Sequence, residues 1–302
     1  SGAAATLLGK IYLRNHDYAN AKTYIDMVLN SGQYELESDF KYVWSENNKY
    51  GKEMIFALLH ETGNNAAEIA CHFGPSDHPE VPGRWQYYGV SLPFWRSYDK
   101  EDPRREFFYY DYTGDAKRDD QSDYGFHYMV PEEGVTVVPN DTTKYMQNVA
   151  TMKYTYDMIS DAYYDGRTIC IFRLSDVILC KAEIENNLNG PAAALPYLNQ
   201  IRARAGAPEY GKHNRFPAPS TKETMNDAIL KERGYELVFE FQRRADLIRF
   251  GKYEEVVNAH LKKLGIAQPT NVTSSLRYFP YPLNDAQLNP NLAAENPSRL
   301  PK

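Results

Sequence analysis

No apolar run in the 302 residues approaches the roughly 20 that a transmembrane helix needs. Positive charge is also short: 34 Lys and Arg against 40 Asp and Glu leave a formal net charge of −6. That balance gives no electrostatic footprint for nucleic acid. Cysteine is scarce and odd in number, so at least one of Cys71, Cys170 and Cys180 is unpaired in a monomer. Cys180 lies inside an apolar helical pattern and reads as a small buried hydrophobe. There is no Gly-x-Ser-x-Gly elbow and no glycine loop built to cradle phosphate. Nothing singles out one pair of the acidic residues for glycoside hydrolysis, which needs two carboxylates facing one sugar bond. The opening Ser1-Gly2 runs straight into a helical pattern, with no signal peptide and no lipid-attachment cysteine nearby. The sequence therefore reads as lacking an N-terminal portion.

Two stretches could be taken for metal sites and fall short. Cys71-His72-Phe73-Gly74-Pro75-Ser76-Asp77-His78 offers thiol and imidazole groups but has no second paired cluster, and reads as a loop. The acidic stretch Asp111 to Asp123 has Ala116 where an EF-hand needs glycine and Ser122 where it needs glutamate. No metal and no cofactor is expected.

What the chain has in abundance is aromatic surface, 14% of residues and 25 tyrosines. Tyr and Trp give stiff, amphipathic area suited to sugar or peptide contact. The densest run is Arg84-Trp85-Gln86-Tyr87-Tyr88-Gly89, followed by Trp95-Arg96-Ser97-Tyr98. Sugars stack their C–H faces on such rings and are held by planar donors such as Arg and Gln. Trp95, in Leu92-Pro93-Phe94-Trp95, reads as core and Trp85 as exposed. Trp85, Tyr87 and Tyr88, with Arg84 and Gln86 as donors, are the candidate ligand-binding residues.

Helical hairpins supply the scaffold. Gly9, Ala21, Ile25 and Val28 recur in spacing as Ala182, Ala194, Leu198 and Ile201. Small residues twelve apart let two antiparallel helices approach, which is the logic of a tetratricopeptide unit. Hairpins are expected at 3–30 and 174–205, turning near Asn15-His16-Asp17 and Asn189-Gly190-Pro191. One long helix is expected over 224–250, a loop-rich insertion over 33–172 with strands near Glu53–Leu59 and Val135–Val138, and an extended tail over 268–302 whose Phe279, Leu283 and Leu292 need cover. Glu232, Glu236 and Glu240 are four apart and interleave with Arg233, Arg243 and Arg244, which reads as a structural ion-pair lattice rather than a catalytic row. The fold class is mostly α, with tetratricopeptide-like hairpins and one large loop-rich region, in a single domain over 1–302.

Four stretches together resemble the SusD/RagB family. They are Ala4-Ala5-x-Leu7-Leu8-x-x-Ile11-Tyr12-Leu13 with Asn30 to Leu36; Asp102-Pro103-Arg104-Arg105; Arg173-Leu174-Ser175-Asp176 through Gly206 and on from Ile229 to Gly251; and Tyr278-Phe279-Pro280-Tyr281-Pro282 with Asn289-Pro290-Asn291-Leu292 and Glu295-Asn296-Pro297. The third is the specific one. The resemblance implies a lipoprotein on the outer face of the outer membrane, anchored through the N-terminal portion missing here. It implies non-catalytic capture of oligosaccharide and delivery to a SusC-like, TonB-dependent transporter. It also implies that the region between the hairpins carries the aromatic platform. Capture of peptides, or a pure helical-repeat interaction scaffold, are the alternatives.

Overall fold

The computed structural model describes residues 1–61, 68–75, 78–81, 84–114, 127–134, 143–157, 166–264, 272–277 and 279–295. The chain forms two compact units, Ser1–Glu240 and Phe241–Lys302.

The first unit opens with a hairpin of α1 (Gly2–Arg14) and α2 (Tyr18–Leu29). Gly9 makes the close approach: a Cβ there would sit 2.8 Å from Ile25 Cδ1. His16 turns the chain at φ 58°, and the Asp17 carboxylate caps α2 by accepting from the Asn20 N–H at 3.1 Å. Ala5, Leu13, Ala21, Ile25 and Val28 are buried in the interior of this hairpin.

Next comes a loop-rich region with short elements. In chain order these are β1 (Met54–Leu58), α3 (Ile69–Phe73), β2 (Val90–Ser91), α4 (Leu92–Trp95), β3 (Phe108–Tyr109), β4 (Asp111–Thr113), β5 (His127–Met129), β6 (Thr143–Tyr145), β7 (Asn148–Thr151) and β8 (Ile169–Arg173). Three small sheets result, in strand orders β1-β8, β2-β7-β3 and β4-β5-β6. β7 is central in the second and antiparallel to both neighbours, with Ser91 opposite Asn148 and Phe108 opposite Thr151. Beneath lie two ring-rich cores, one around Trp44, Phe73, Phe107 and Tyr154, the other around Trp95, Tyr98, Phe108 and Tyr235. The stretch Val135–Val138, expected as strand, lies outside the described residues, as do 115–123 of the acidic stretch.

The second hairpin is α5 (Leu174–Asn189) and α6 (Pro191–Arg204), joined by Gly190 alone at φ 90°. That backbone favours glycine. Val177, Cys180 and Ile184 of α5 share the apolar cluster of the first hairpin, so the two hairpins are stacked on one core in tetratricopeptide fashion. Lys181 reaches α2 at Asp26, 2.5 Å away, and Lys10 pairs with Asp176.

α7 (Lys222–Glu236) follows, opened by a Thr221–Thr224 capping box. It ends at Glu236, where one helix was expected over 224–250. The cause is capture of its carbonyls. The Glu236 carbonyl accepts from Lys153 Nζ at 2.9 Å and Arg173 Nη2 at 2.8 Å, and the Phe239 carbonyl accepts from Tyr154 Oη at 2.9 Å. Phe239 and Phe241 take left-handed conformations at φ 61° and 60°, and α8 (Arg243–Arg249) starts afresh.

The break between α7 and α8 serves an ion lattice. Five carboxylates (Glu53, Asp102, Glu232, Glu236, Glu240) meet five cations (Arg104, Lys153, Arg173, Arg202, Arg204), all buried except Arg204, which is half-buried overall with its side chain 5% exposed. Arg173 bonds Glu53, Glu236 and Glu240, each at 2.7 Å. Arg104 lies 2.6 Å from Glu232 and 2.8 Å from Asp102, and Arg204 pairs with Glu53 and Glu236. Arg202 closes on Glu232 at 2.7 Å.

The second unit contains α8, α9 (Tyr253–Lys263), α10 (Leu283–Leu288) and α11 (Pro290–Glu295). The expected extended tail is therefore partly helical. Pro282, at the N-cap of α10, and Pro290, the first residue of α11, start these helices instead of breaking them, because a proline at either place costs no intrahelical hydrogen bond. Arg244 donates to the Leu276 carbonyl at 2.7 Å and lies 4.8 Å from the Phe279 ring centre. Phe279 nonetheless remains 74% exposed, and Leu283 is exposed too, where cover was expected for both.

Candidate ligand-binding surface

The run Trp85 to Tyr88 is pinned from two sides. The Trp85 N–H donates to the Cys71 carbonyl at 2.7 Å and the Tyr88 N–H to the His72 carbonyl at 3.1 Å, tying it along α3. On its other side the chain enters β2, which is fixed by β7. In a regular strand, successive side chains point to opposite faces. Gln86 interrupts that alternation with a left-handed backbone, φ 48°. Trp85, Tyr87 and Tyr88 can then all approach one side chain, His72. Their ring centres stand 5.3, 5.4 and 6.2 Å from the imidazole, and Trp85 and Tyr87 are 5.5 Å apart with planes inclined by 34°. Tyr88 also leans on Phe73 of the core at 5.2 Å.

The three rings face solvent: Trp85 is 36% exposed, Tyr88 54% and Tyr87 66%. Trp95, by contrast, is core, its indole N–H donating to the Arg105 carbonyl at 3.2 Å. Gln86 is half-buried and donates from Nε2 to Asn148 Oδ1 at 3.1 Å. Arg84 departs from the sequence reading. It is 1% exposed and points inward, with Nη1 3.5 Å from Cys71 Sγ. Gly74 makes the room, since a Cβ there would stand 2.8 Å from Arg84 Cγ. Arg84 thus supports the surface from below and cannot present its guanidinium to a ligand there.

Two contributors were missed by sequence reasoning. His72 lay in the stretch weighed for zinc, where nothing marked it as the hub of a ring cluster. Asn148 sits 62 positions beyond Gln86, and no local signal joins them.

Other concave features differ in kind. The cavities beside Trp44 have volumes of about 10 and 20 Å³, room for a water molecule at most. An open groove of about 720 Å³ runs between α2, α5 and α6, but its charges are joined to one another: Lys181 is 2.5 Å from Asp26 and 2.7 Å from Glu185. The acidic row Glu232, Glu236 and Glu240 lies in the buried lattice, away from solvent. Burial would raise the Glu236 carboxyl, but Arg204, Arg173 and Arg104 outweigh it and hold the group well below the ordinary carboxylate range.

Comparison with known proteins shows the family and the fold. The SusD-like protein P25 of Formosa agariphila is 39% identical over 120 residues, 40% of this chain and 22% of that protein. The SusD-like protein P2 of the same organism is 25% identical over 314 residues, covering 97% of this chain and 58% of its own length. Among solved structures, a surface glycan-binding protein A from Bacteroides thetaiotaomicron, in complex with laminarihexaose, shares the fold at a TM-score of 0.68 and 20% identity, over 95% of this chain and 62% of its own. The chain thus spans less than two thirds of each of these relatives. A profile of the SusD family matches residues 52–298, which takes in the ring surface, the ion lattice and α5 to α11, and the chain belongs to that family.

Proposed function

We propose that this chain is a non-catalytic oligosaccharide-binding protein that works at the outer-membrane surface and hands its ligand to a TonB-dependent transporter. The observation that carries the reading is the exposed platform of Trp85, Tyr87 and Tyr88 gathered around His72. Pinned rings lose little freedom on binding, and each one that covers a sugar face removes apolar area from water. Family membership supports the reading, as does the saccharide held by a relative of the same fold. Lipid anchoring and the SusC-like partner belong to the proposal through the family alone.

Calorimetry with a panel of surface glycans tests it. Trp85→Ala should weaken a bound oligosaccharide by roughly 1–2 kcal/mol, about tenfold, while the melting temperature holds. Unchanged affinity for a glycan that binds the parent chain would remove the platform from the site. Binding of peptides in place of every glycan would overturn the saccharide reading itself.

A further inference from the structure

We propose that Asn148 is a ligand-contact residue and that, with Gln86, it selects neutral polyhydroxyl chains over acidic ones; this rests on the reading of the ring surface as a saccharide platform. Asn148 opens β7, where its backbone is registered against Ser91. It lies against Gly89, at which a Cβ would stand 2.5 Å from Asn148 Oδ1, so glycine is what lets the amide rest there. The left-handed turn at Gln86 brings the second amide to it, and one bond joins them, Gln86 Nε2 to Asn148 Oδ1 at 3.1 Å.

A primary amide carries one carbonyl oxygen and two N–H donors. A single bond between two amides leaves one carbonyl oxygen and one complete NH2 group. Among the described residues neither the Gln86 oxygen nor the Asn148 NH2 has a protein partner. The same complement remains whichever amide donates. Asn148 is exposed, so an acceptor and a donor stand side by side at the edge of the rings. Two neighbouring sugar hydroxyls fit that pair: one donates to Gln86 Oε1 and the other accepts from Asn148 Nδ2. The Tyr87 and Tyr88 hydroxyls, also without partners among the described residues, extend the same uncharged chemistry. A uronate or sulfate would instead be drawn to a fixed cation. Arg84 is buried beneath this surface, and the Glu68 carboxylate stands 4.0 Å from His72 Nε2, where it repels an anion.

Two variants separate contact from support. Asn148→Asp keeps an oxygen to accept from Gln86 Nε2 but replaces the donor by an anion. Asn148→Ala removes both. Calorimetry on the full chain would use neutral laminari-, malto-, manno- and xylo-hexaoses against hexamers of galacturonate and guluronate. The parent should bind at least one neutral hexaose more tightly than either acidic hexamer. Both variants should weaken that binding about fivefold or more, with an unchanged thermal melt. If Asn148→Asp binds like the parent while Trp85→Ala does not, the role of Asn148 falls and the platform stands. An acidic hexamer bound as tightly as the neutral ones overturns the selectivity. A parent chain that binds no oligosaccharide overturns this inference and the saccharide reading together.

Discussion

Glu236 keeps its charge at 4% exposure because Arg104, Arg173 and Arg204 all point at it. Removing one member of a buried pair strands the other, which costs about 3–5 kcal/mol. Glu236→Gln should therefore lower stability by about that amount at neutral pH, read by urea denaturation. The sign with pH follows from the depressed carboxyl. Its folded value lies below the 4.5 of an ordinary glutamate, so the unfolded chain binds the proton first. The stability is complete above that ordinary value and is lost as pH falls toward the depressed one. The parent should lose stability steeply on acidification and the glutamine variant less so. Equal acid slopes would remove Glu236 from the lattice. At this scale the abundance of arginine showed the structural nature of the glutamate row, but the partners are Arg104, Arg173, Arg202 and Arg204 from other segments, while the interleaved Arg233 pairs with Asp176. The sequence did not show that Arg84 turns inward, because the space at Gly74 is ten positions away and has no local signature.

Small-residue spacing read the hairpins well, since Gly9 and Ala21 or Ala182 and Ala194 leave the same mark in any chain with helical period. The contact at Gly9 can be tested directly. Gly9→Leu should overpack α1 against α2 and cost about 1–3 kcal/mol. Ile25→Ala, damaging alone, should recover part of that loss in the double variant, because the two side chains compete for one space. Strict additivity in equilibrium unfolding would show that they do not meet. The end of α7 was illegible for the opposite reason. Glu232, Glu236 and Glu240 continue the helical period, no proline interrupts them, and the single glycine among them, Gly234, lies inside α7 before the stop. The stop is imposed by Lys153, Arg173 and Tyr154, which take the carbonyls from across the fold. Likewise Pro282 and Pro290 look like breakers in sequence, while their positions at an N-cap and at a first helical residue make them starters.

Across the first unit, the lattice joins residues drawn from Glu53 to Glu240, with Arg104, Lys153, Arg173 and Arg204 between them. Such a cluster cannot be assembled piecemeal. A lone arginine leaves water only at large cost, and its partners are separated by long loops whose closure is itself unfavourable. The charges therefore lock after the helices and rings have gathered, beyond the rate-limiting step of folding. Interactions made late change how fast a protein comes apart and leave how fast it forms. Stopped-flow measurements should find that Glu236→Gln speeds unfolding by about 100-fold or more, with refolding almost unaltered. Slowed refolding would place the lattice in the folding nucleus instead. The first unit would then owe its working lifetime to a latch that closes last and opens slowly.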